Sequence, residues 1–259
     1  ADSLYPFLNR AFSGVYAPGS CFKPVVAVAG LAQGVITPAS HVNCQRVYTF
    51  FPSYQPTCLS YHGPMTVIDA LRASCNIFFY DTGRLLGIDT MNRTAKMLGL
   101  GVPAGIELGE AAGTQTNAAT ANPGDALQVA IGQLDNGFTP LQLANYAATL
   151  ATGGELRKMS LVKAVSSYYD RQEYRQEFSS QVLGRIDAPA AVFETVKAGM
   201  VAATHDMRGT AYRYLGDYPY PVASKTGTPQ TAEFPNSTFI CYAPADDPQI
   251  AVAVVIEKG

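Results

Sequence analysis

Apolar and polar positions divide this chain into a largely helical first part and a strand-rich end. Residues 24–31 form an unbroken run of apolar and small side chains behind the turn signal Ala17-Pro18-Gly19. The run predicts a buried helix from residue 20 to about 34, ended by Gly34 and Thr37-Pro38. Residues 40–64 mix Pro, Tyr, Cys and His without a period and read as an ordered loop. Helical spacing returns over 66–99, and residues 110–124, rich in Ala, Thr, Gly and Asn, read as a linker. Thr139 followed by Pro140 predicts a capped helix that stops at Gly153-Gly154. Residues 160–165 read as a strand, 168–177 as an exposed charged and aromatic insertion, and 187 to about 204 as a further helix. A strand carries Lys225, Thr226 and Thr228, and residues 236–243 and 249–257 predict two more, joined by Pro244-Ala245-Asp246-Asp247-Pro248.

A chain of 259 residues, 47% of them hydrophobic, can bury one large core. The expectation is one domain over 1–259 made of two interleaved parts. An α/β part takes about 1–34 and 155–259, and a mainly helical part takes about 35–154. A net charge of −2 with 15% charged residues and no basic stripe argues against nucleic acid as a partner. No apolar run reaches the roughly 18 residues that span a bilayer, and no signal peptide is visible.

Three short motifs carry the chemistry: Ser20-Cys21-Phe22-Lys23, Ser74-Cys75-Asn76 and Lys225-Thr226-Gly227. The first turn of a helix places Ser20 and Lys23 on one face. A serine nucleophile needs a base, and none of the three histidines, His41, His62 and His205, sits in a triad motif. A lysine serves if it is neutral, and burial beside a second cation such as Lys225 drives it there. The helix N-terminus adds N–H donors for an oxyanion. Ser160-Leu161-Val162-Lys163 repeats the serine–lysine spacing without a preceding turn and reads as structural. Gly227 opens the Lys225–Thr228 strand to close approach by a substrate, with one cation and two hydroxyls beside it.

These residues resemble the transpeptidase domain of class B penicillin-binding proteins, in flavour the elongation-type members of Gram-positive bacteria. The three motifs match the family's serine-x-x-lysine, serine-x-asparagine and lysine-threonine-glycine signatures. Ser74 lies 54 residues after Ser20, and Lys225 about 150 beyond it. Gly105 to Glu110 resembles the family's linking segment. Ile131-Gly132-Gln133 with Thr139-Pro140-Leu141-Gln142 resembles its long core helix, and Gly209-Thr210-Ala211 its loop before the lysine strand. The resemblance implies an α/β penicillin-binding and serine β-lactamase-like fold, an antiparallel sheet flanked by helices plus an all-helical lobe. Two strands before residues 8–10 and a closing helix after about 257 are missing, which predicts an incomplete five-stranded sheet.

The resemblance also implies a D,D-transpeptidase that cross-links peptidoglycan stem peptides through a serine acyl-enzyme and is trapped by β-lactams. Ser20 would attack the carbonyl between two D-alanines, Lys23 take its proton, Ser74 relay a proton to the leaving amine and Asn76 hold the substrate amide. Lys225 would orient Ser74, Thr226 and Thr228 bind the terminal carboxylate, and the N–H groups of Ser20 and Thr228 form the oxyanion hole. Whether Lys23 or Ser74 accepts the first proton stays open. A membrane anchor and cell-wall synthesis partners belong to the full-length protein, on the extracytoplasmic face of the bacterial membrane. The alternatives are a D,D-carboxypeptidase, a serine β-lactamase using Glu107 or Glu110 to activate water, and a non-catalytic covalent β-lactam sensor.

Five cysteines remain. Cys241 reads as a buried strand thiol, and Cys21 as packed behind the nucleophile helix. Cys44, Cys58 and Cys75 with His62 make a tetrahedral zinc set, although their spacing fits no standard finger. Some elongation-type relatives are similar in placing zinc beside the active site on a histidine and a cysteine spaced like His62 and Cys75. The competing readings are a Cys44–Cys58 disulfide, free thiols, and His41 in place of one ligand. The chemistry itself requires no cofactor.

Overall fold

The computed structural model describes residues 7–169, 174–229 and 235–258. Nine helices are described: α1 Arg10–Ser13, α2 Lys23–Ala32, α3 Val67–Ala73, α4 Asn76–Leu86, α5 Ile88–Met97, α6 Asp125–Ala130, α7 Pro140–Ala151, α8 Ala190–His205 and α9 Tyr212–Leu215. Nine strands accompany them: β1 Val42–Cys44, β2 Gly63–Met65, β3 Glu155–Arg157, β4 Ala164–Ser166, β5 Tyr174–Glu177, β6 Val182–Arg185, β7 Ala223–Gly227, β8 Ser237–Ala243 and β9 Ile250–Ile256.

The main sheet is antiparallel in the order β7-β8-β9. Strict alternation along β8 buries Thr238, Ile240 and Tyr242 while their neighbours stay partly exposed, so one face of the sheet carries the helices. Helix α8 packs on β7, and α7 packs on β8 and β9. Helix α2 is buried on every side from Lys23 to Gly30 and sits among α3, α4, α5 and α8. An all-round apolar helix of this kind belongs at the centre of a core rather than on its surface.

Local signals account for the best-placed elements. Thr139 and Gln142 form a reciprocal capping box with Pro140 at the first helical position of α7. Thr66 and Asp69 do the same for α3. Close packing decides other positions. A Cβ on Gly83 of α4 would lie 2.4 Å from Ala130 Cβ and 3.0 Å from the Ala126 carbonyl of α6. Gly83→Ala is therefore expected to destabilise the domain by about 1–3 kcal/mol through overpacking, read as a fall in thermal midpoint. An unchanged midpoint would show that α6 yields freely.

Several sequence expectations are corrected. Helix 20–34 starts as a 3-10 turn, Gly19–Phe22, and becomes α-helical at Lys23. The 40–64 loop contains β1, and its end joins β2, with Val42 opposite Met65 and Cys44 opposite Gly63; three-residue strands are too short to show a period. Ile131-Gly132-Gln133 is not part of a long helix. It is a turn between α6 and α7, with Gly132 at φ +72° and Leu134 at φ +60°. The strand read over 160–165 is only Ala164–Ser166, and the helix read from 187 begins at Ala190, behind Pro189, which disfavours helical geometry at residue 188. Of the 168–177 insertion, residues 170–173 lie outside the described residues, Tyr168 and Tyr169 are exposed, and Tyr174–Glu177 pairs with β4. Helix α7, assigned by sequence to the helical part, packs on the sheet. Cys241 faces the less covered side of β8 and is only partly buried. The three strands of the main sheet among the described residues agree with the incomplete five-stranded sheet that the resemblance implied.

Candidate active site

The turn Gly19–Phe22 holds Ser20 at the entrance of α2, where strand β7 also passes. Its geometry depends on three glycines. Gly19 sits at φ +51°, and a Cβ on Gly132 would lie 2.2 Å from the Gly19 carbonyl oxygen. The Gly19 N–H donates to Gly132 O at 3.1 Å, so the turn before α7 braces the turn that carries Ser20. A Cβ on Gly227 would meet Thr238 Oγ1 at 2.3 Å and Pro18 O at 2.6 Å. Gly227 is thus demanded by β7 lying against the Ser20 turn as well as by any ligand outside it. Cys21 is buried behind this contact, its thiol 3.3 Å from the Lys225 carbonyl.

Ser74 closes α3 in the left-handed region, φ 56° and ψ 40°. For a non-glycine residue this conformation costs of the order of 1–3 kcal/mol, which the surroundings must offset. The Ser74 hydroxyl lies between two lysine side-chain nitrogens. Lys225 Nζ donates to Ser74 Oγ at 2.9 Å and to Thr226 O at 2.9 Å. Lys23 Nζ lies 2.6 Å from Ser74 O, 2.7 Å from Asn76 Oδ1 and 3.1 Å from Ser74 Oγ. Both lysines are fully buried.

Burial, reinforced by the Lys225 charge, holds Lys23 well below the ordinary lysine range. Burial pushes Lys225 down to about 8. Both effects favour the neutral form of Lys23, with Lys225 as the charge beside it. A neutral amine has two protons for its two obligate acceptors, Ser74 O and Asn76 Oδ1, and a lone pair left facing the Ser74 hydroxyl. Ser74 Oγ then accepts from Lys225 and can pass its proton to Lys23. Among the described residues the Ser20 hydroxyl makes no hydrogen bond of its own, which leaves it free to meet a ligand.

Strand β7 continues the site. Thr226 Oγ1 donates to Thr210 Oγ1 at 2.9 Å, and Thr210 N–H donates to Arg72 O at 3.3 Å. Thr228 lies just past β7 and is exposed. Thr210 and Gly132 are positions whose roles the residues did not announce; both fall in segments matched to the family, but no motif chemistry marks them. Glu107 and Glu110 are engaged elsewhere. Glu107 accepts from the Leu161 N–H at 2.9 Å and from the Ser160 hydroxyl, and Glu110 accepts from the N–H groups of residues 104, 105 and 106. Neither is poised as a water-activating base. Ser160 and Lys163 take no part in the site.

Beside the second motif, Cys44, Cys58, His62 and Cys75 bring one ligand atom each within 4.8 Å of one another. Cys44 Sγ and Cys58 Sγ lie 3.4 and 3.6 Å from His62 Nδ1. A tetrahedral zinc with ordinary bond lengths has ligand–ligand edges of about 3.5–3.8 Å, so the donor types suit the metal and the two sulfur–nitrogen edges are close to its size. The cysteines are free thiols, Cys44 and Cys58 are not joined, and His41 lies outside the group. A hydrogen bond from Cys75, with the Asn76 N–H 3.2 Å from its sulfur, favours the Cys58 thiolate. Asn76 Nδ2 also donates to Thr57 O at 3.2 Å. The loop of residues 57–62 thus grips the second motif from behind.

A family profile described as the penicillin binding protein transpeptidase domain matches residues 1–259. The chain is 28% identical over 294 residues to peptidoglycan D,D-transpeptidase MrdA of Haemophilus influenzae, covering all of this chain and 44% of that protein. Its structure resembles Pseudomonas aeruginosa PBP2 in complex with WCK 5153, with a TM-score of 0.88, 32% identity, and coverage of 100% of this chain and 60% of that one. It also resembles the penicillin G acyl-enzyme complex of penicillin-binding protein A from Mycobacterium tuberculosis, with a TM-score of 0.83, 26% identity, and coverage of 100% and 59%. The chain therefore spans less than half the length of the Haemophilus relative.

Proposed function

This chain belongs to the penicillin-binding protein transpeptidase family, and on that premise we propose that it is a peptidoglycan D,D-transpeptidase domain acting through a Ser20 acyl-enzyme. The observation that carries the reading is the Ser74 hydroxyl held between two fully buried lysines. Ser20 attacks the carbonyl between two D-alanines and its proton reaches Lys23, directly or through Ser74. Lys225 stays cationic, fixes Ser74 and favours the substrate's terminal carboxylate, which Thr226 and Thr228 receive. Asn76 orients the substrate amide. The N–H groups of Ser20 and Thr228 bind the oxyanion, each worth roughly 3–4 kcal/mol. Ser74 returns the proton to the departing D-alanine, and an amine from a second stem peptide resolves the ester.

The deacylating carboxylate that a β-lactamase needs is not supported by the positions of Glu107 and Glu110, so a β-lactam ester at Ser20 persists. Intact mass after incubation with penicillin G should show one adduct per chain, lasting many minutes, and none in Ser20→Ala. An unmodified wild-type mass, or an adduct in the variant, would refute the assignment.

We further propose that Cys44, Cys58, His62 and Cys75 hold a structural zinc. The metal would pin the 57–62 loop against Ser74-Cys75-Asn76 and supply no step of the reaction. No described helix is long and apolar enough to cross a membrane. The domain is placed by this reading at the outer face of the cytoplasmic membrane, where its stem-peptide substrates and the β-lactams that mimic them occur.

A further inference from the structure

The turn that braces Ser20 carries a feature the reaction does not use. Leu134, two residues after Gly132, sits at φ +60° with nearly half of its side chain exposed. Neither state is one a leucine adopts without support: the left-handed region suits glycine, and an exposed aliphatic side chain gains nothing from burial. A glycine or asparagine would fill the turn at lower cost.

Leu134 does have surroundings. It forms one wall of a pocket of about 470 Å³ whose other apolar walls are Phe51, Tyr54 and Pro123. The pocket is built rather than incidental. Tyr54 is held by a hydrogen bond from Gln128 Nε2, and its ring lies so close to Gly124 that a Cβ there would stand 2.9 Å from Tyr54 Cδ1. One carboxylate, Asp125, lines the same space. Its Oδ2 accepts from the Asn122 N–H at 2.7 Å, while Oδ1 makes no hydrogen bond to any described residue. Gly132 touches Gly19, the residue before the nucleophile, and two residues of chain reach at most about 7 Å. Leu134, one wall of the pocket, therefore stands within about 7 Å of the glycine that packs on the Ser20 turn.

Resting on the transpeptidase reading, we propose that this pocket is a specificity subsite for the amine-terminated aliphatic side chain of the stem peptide. Phe51, Tyr54 and Leu134 would cover the methylenes, and Asp125 would receive the terminal ammonium. An apolar slot closed by a single carboxylate matches a long side chain ending in a cation better than a sugar, which would need several hydrogen-bonding partners. The unfavourable backbone of Leu134 is then retained for the wall its side chain provides.

The test uses peptides Xaa-D-Ala-D-Ala with lysine, norleucine or alanine as Xaa, each competing with penicillin for acylation of Ser20. The concentration that halves the acylation rate should be lowest for lysine, with norleucine intermediate and alanine at least about fivefold weaker than lysine. In Leu134→Gly the lysine and norleucine peptides should weaken towards alanine, while the alanine peptide and uncompeted acylation stay unchanged. That variant should also melt about 1–3 °C higher, because glycine relieves the backbone. Asp125→Asn should abolish the advantage of lysine over norleucine and leave norleucine over alanine intact. Equal potency of the three peptides in the wild type would overturn the subsite, as would equal weakening of all three in Leu134→Gly. Failure of penicillin to acylate wild-type Ser20 would refute the transpeptidase reading itself, and the subsite with it.

Discussion

Lys23→Arg is expected to slow penicillin acylation of Ser20 by about 10²–10⁴-fold, the usual worth of a positioned general base. The substitution keeps a cation and much of the length, so a role in charge alone would survive it. Arginine cannot give up its proton in a protein, whereas buried lysine can. Lys23 is fully buried and faces the Lys225 charge, and both effects favour its neutral form. The same two lysines set a pH profile. Acylation should rise with pH as Lys23 loses its proton, because the lone pair is the base. It should fall again near pH 8 as Lys225 loses the charge that fixes Ser74. Rates measured across pH 5–10 should therefore form a bell whose alkaline limb disappears in Lys225→Arg, where the cation no longer titrates. Wild-type acylation by Lys23→Arg would remove lysine from the mechanism.

Loss of the metal should have the second-largest effect. Protein purified without chelator is expected to carry one zinc per chain, and His62→Ala to carry none. The cluster lies on β1, the 57–62 loop and the N-terminus of α4, three segments with little regular structure to hold them together. A metal bound about a thousandfold below its free concentration contributes about 4 kcal/mol. Its removal should lower the thermal midpoint by roughly 10 °C in a domain of this size. Acylation should slow as well, since Asn76 donates its N–H to Cys58 Sγ and its side-chain amide to Thr57 O. Absence of zinc by elemental analysis, with Cys44 and Cys58 linked in a peptide map, would establish the disulfide instead.

Much of the site was legible because its parts are local. A turn, a serine and a lysine one helical turn apart define the first motif wherever the rest of the chain goes. Capping residues placed α7 for the same reason, since Thr139, Pro140 and Gln142 act within four residues. The cysteine–histidine grouping could be named from residue type. Its closure to 4.8 Å could not, because it depends on β1 returning beside β2 and on Cys75 preceding α4. Errors fell where long-range packing overrode local preference. Ile131-Gly132-Gln133 has helix-compatible residues on either side, yet the approach to Gly19 forces a turn there.

The sequence by itself determined the family, the three motifs and the alternating strands at the end of the chain. These are encoded in residue type and short spacing, which survive any arrangement of the rest. Only the tertiary structure brought Lys23 and Lys225, 202 residues apart in the chain, to the same Ser74 hydroxyl and buried both completely. It also decided why Gly227 is glycine and where Leu134 points its side chain. Both answers lie in contacts between segments distant in sequence, and a linear pattern carries no record of what packs against what.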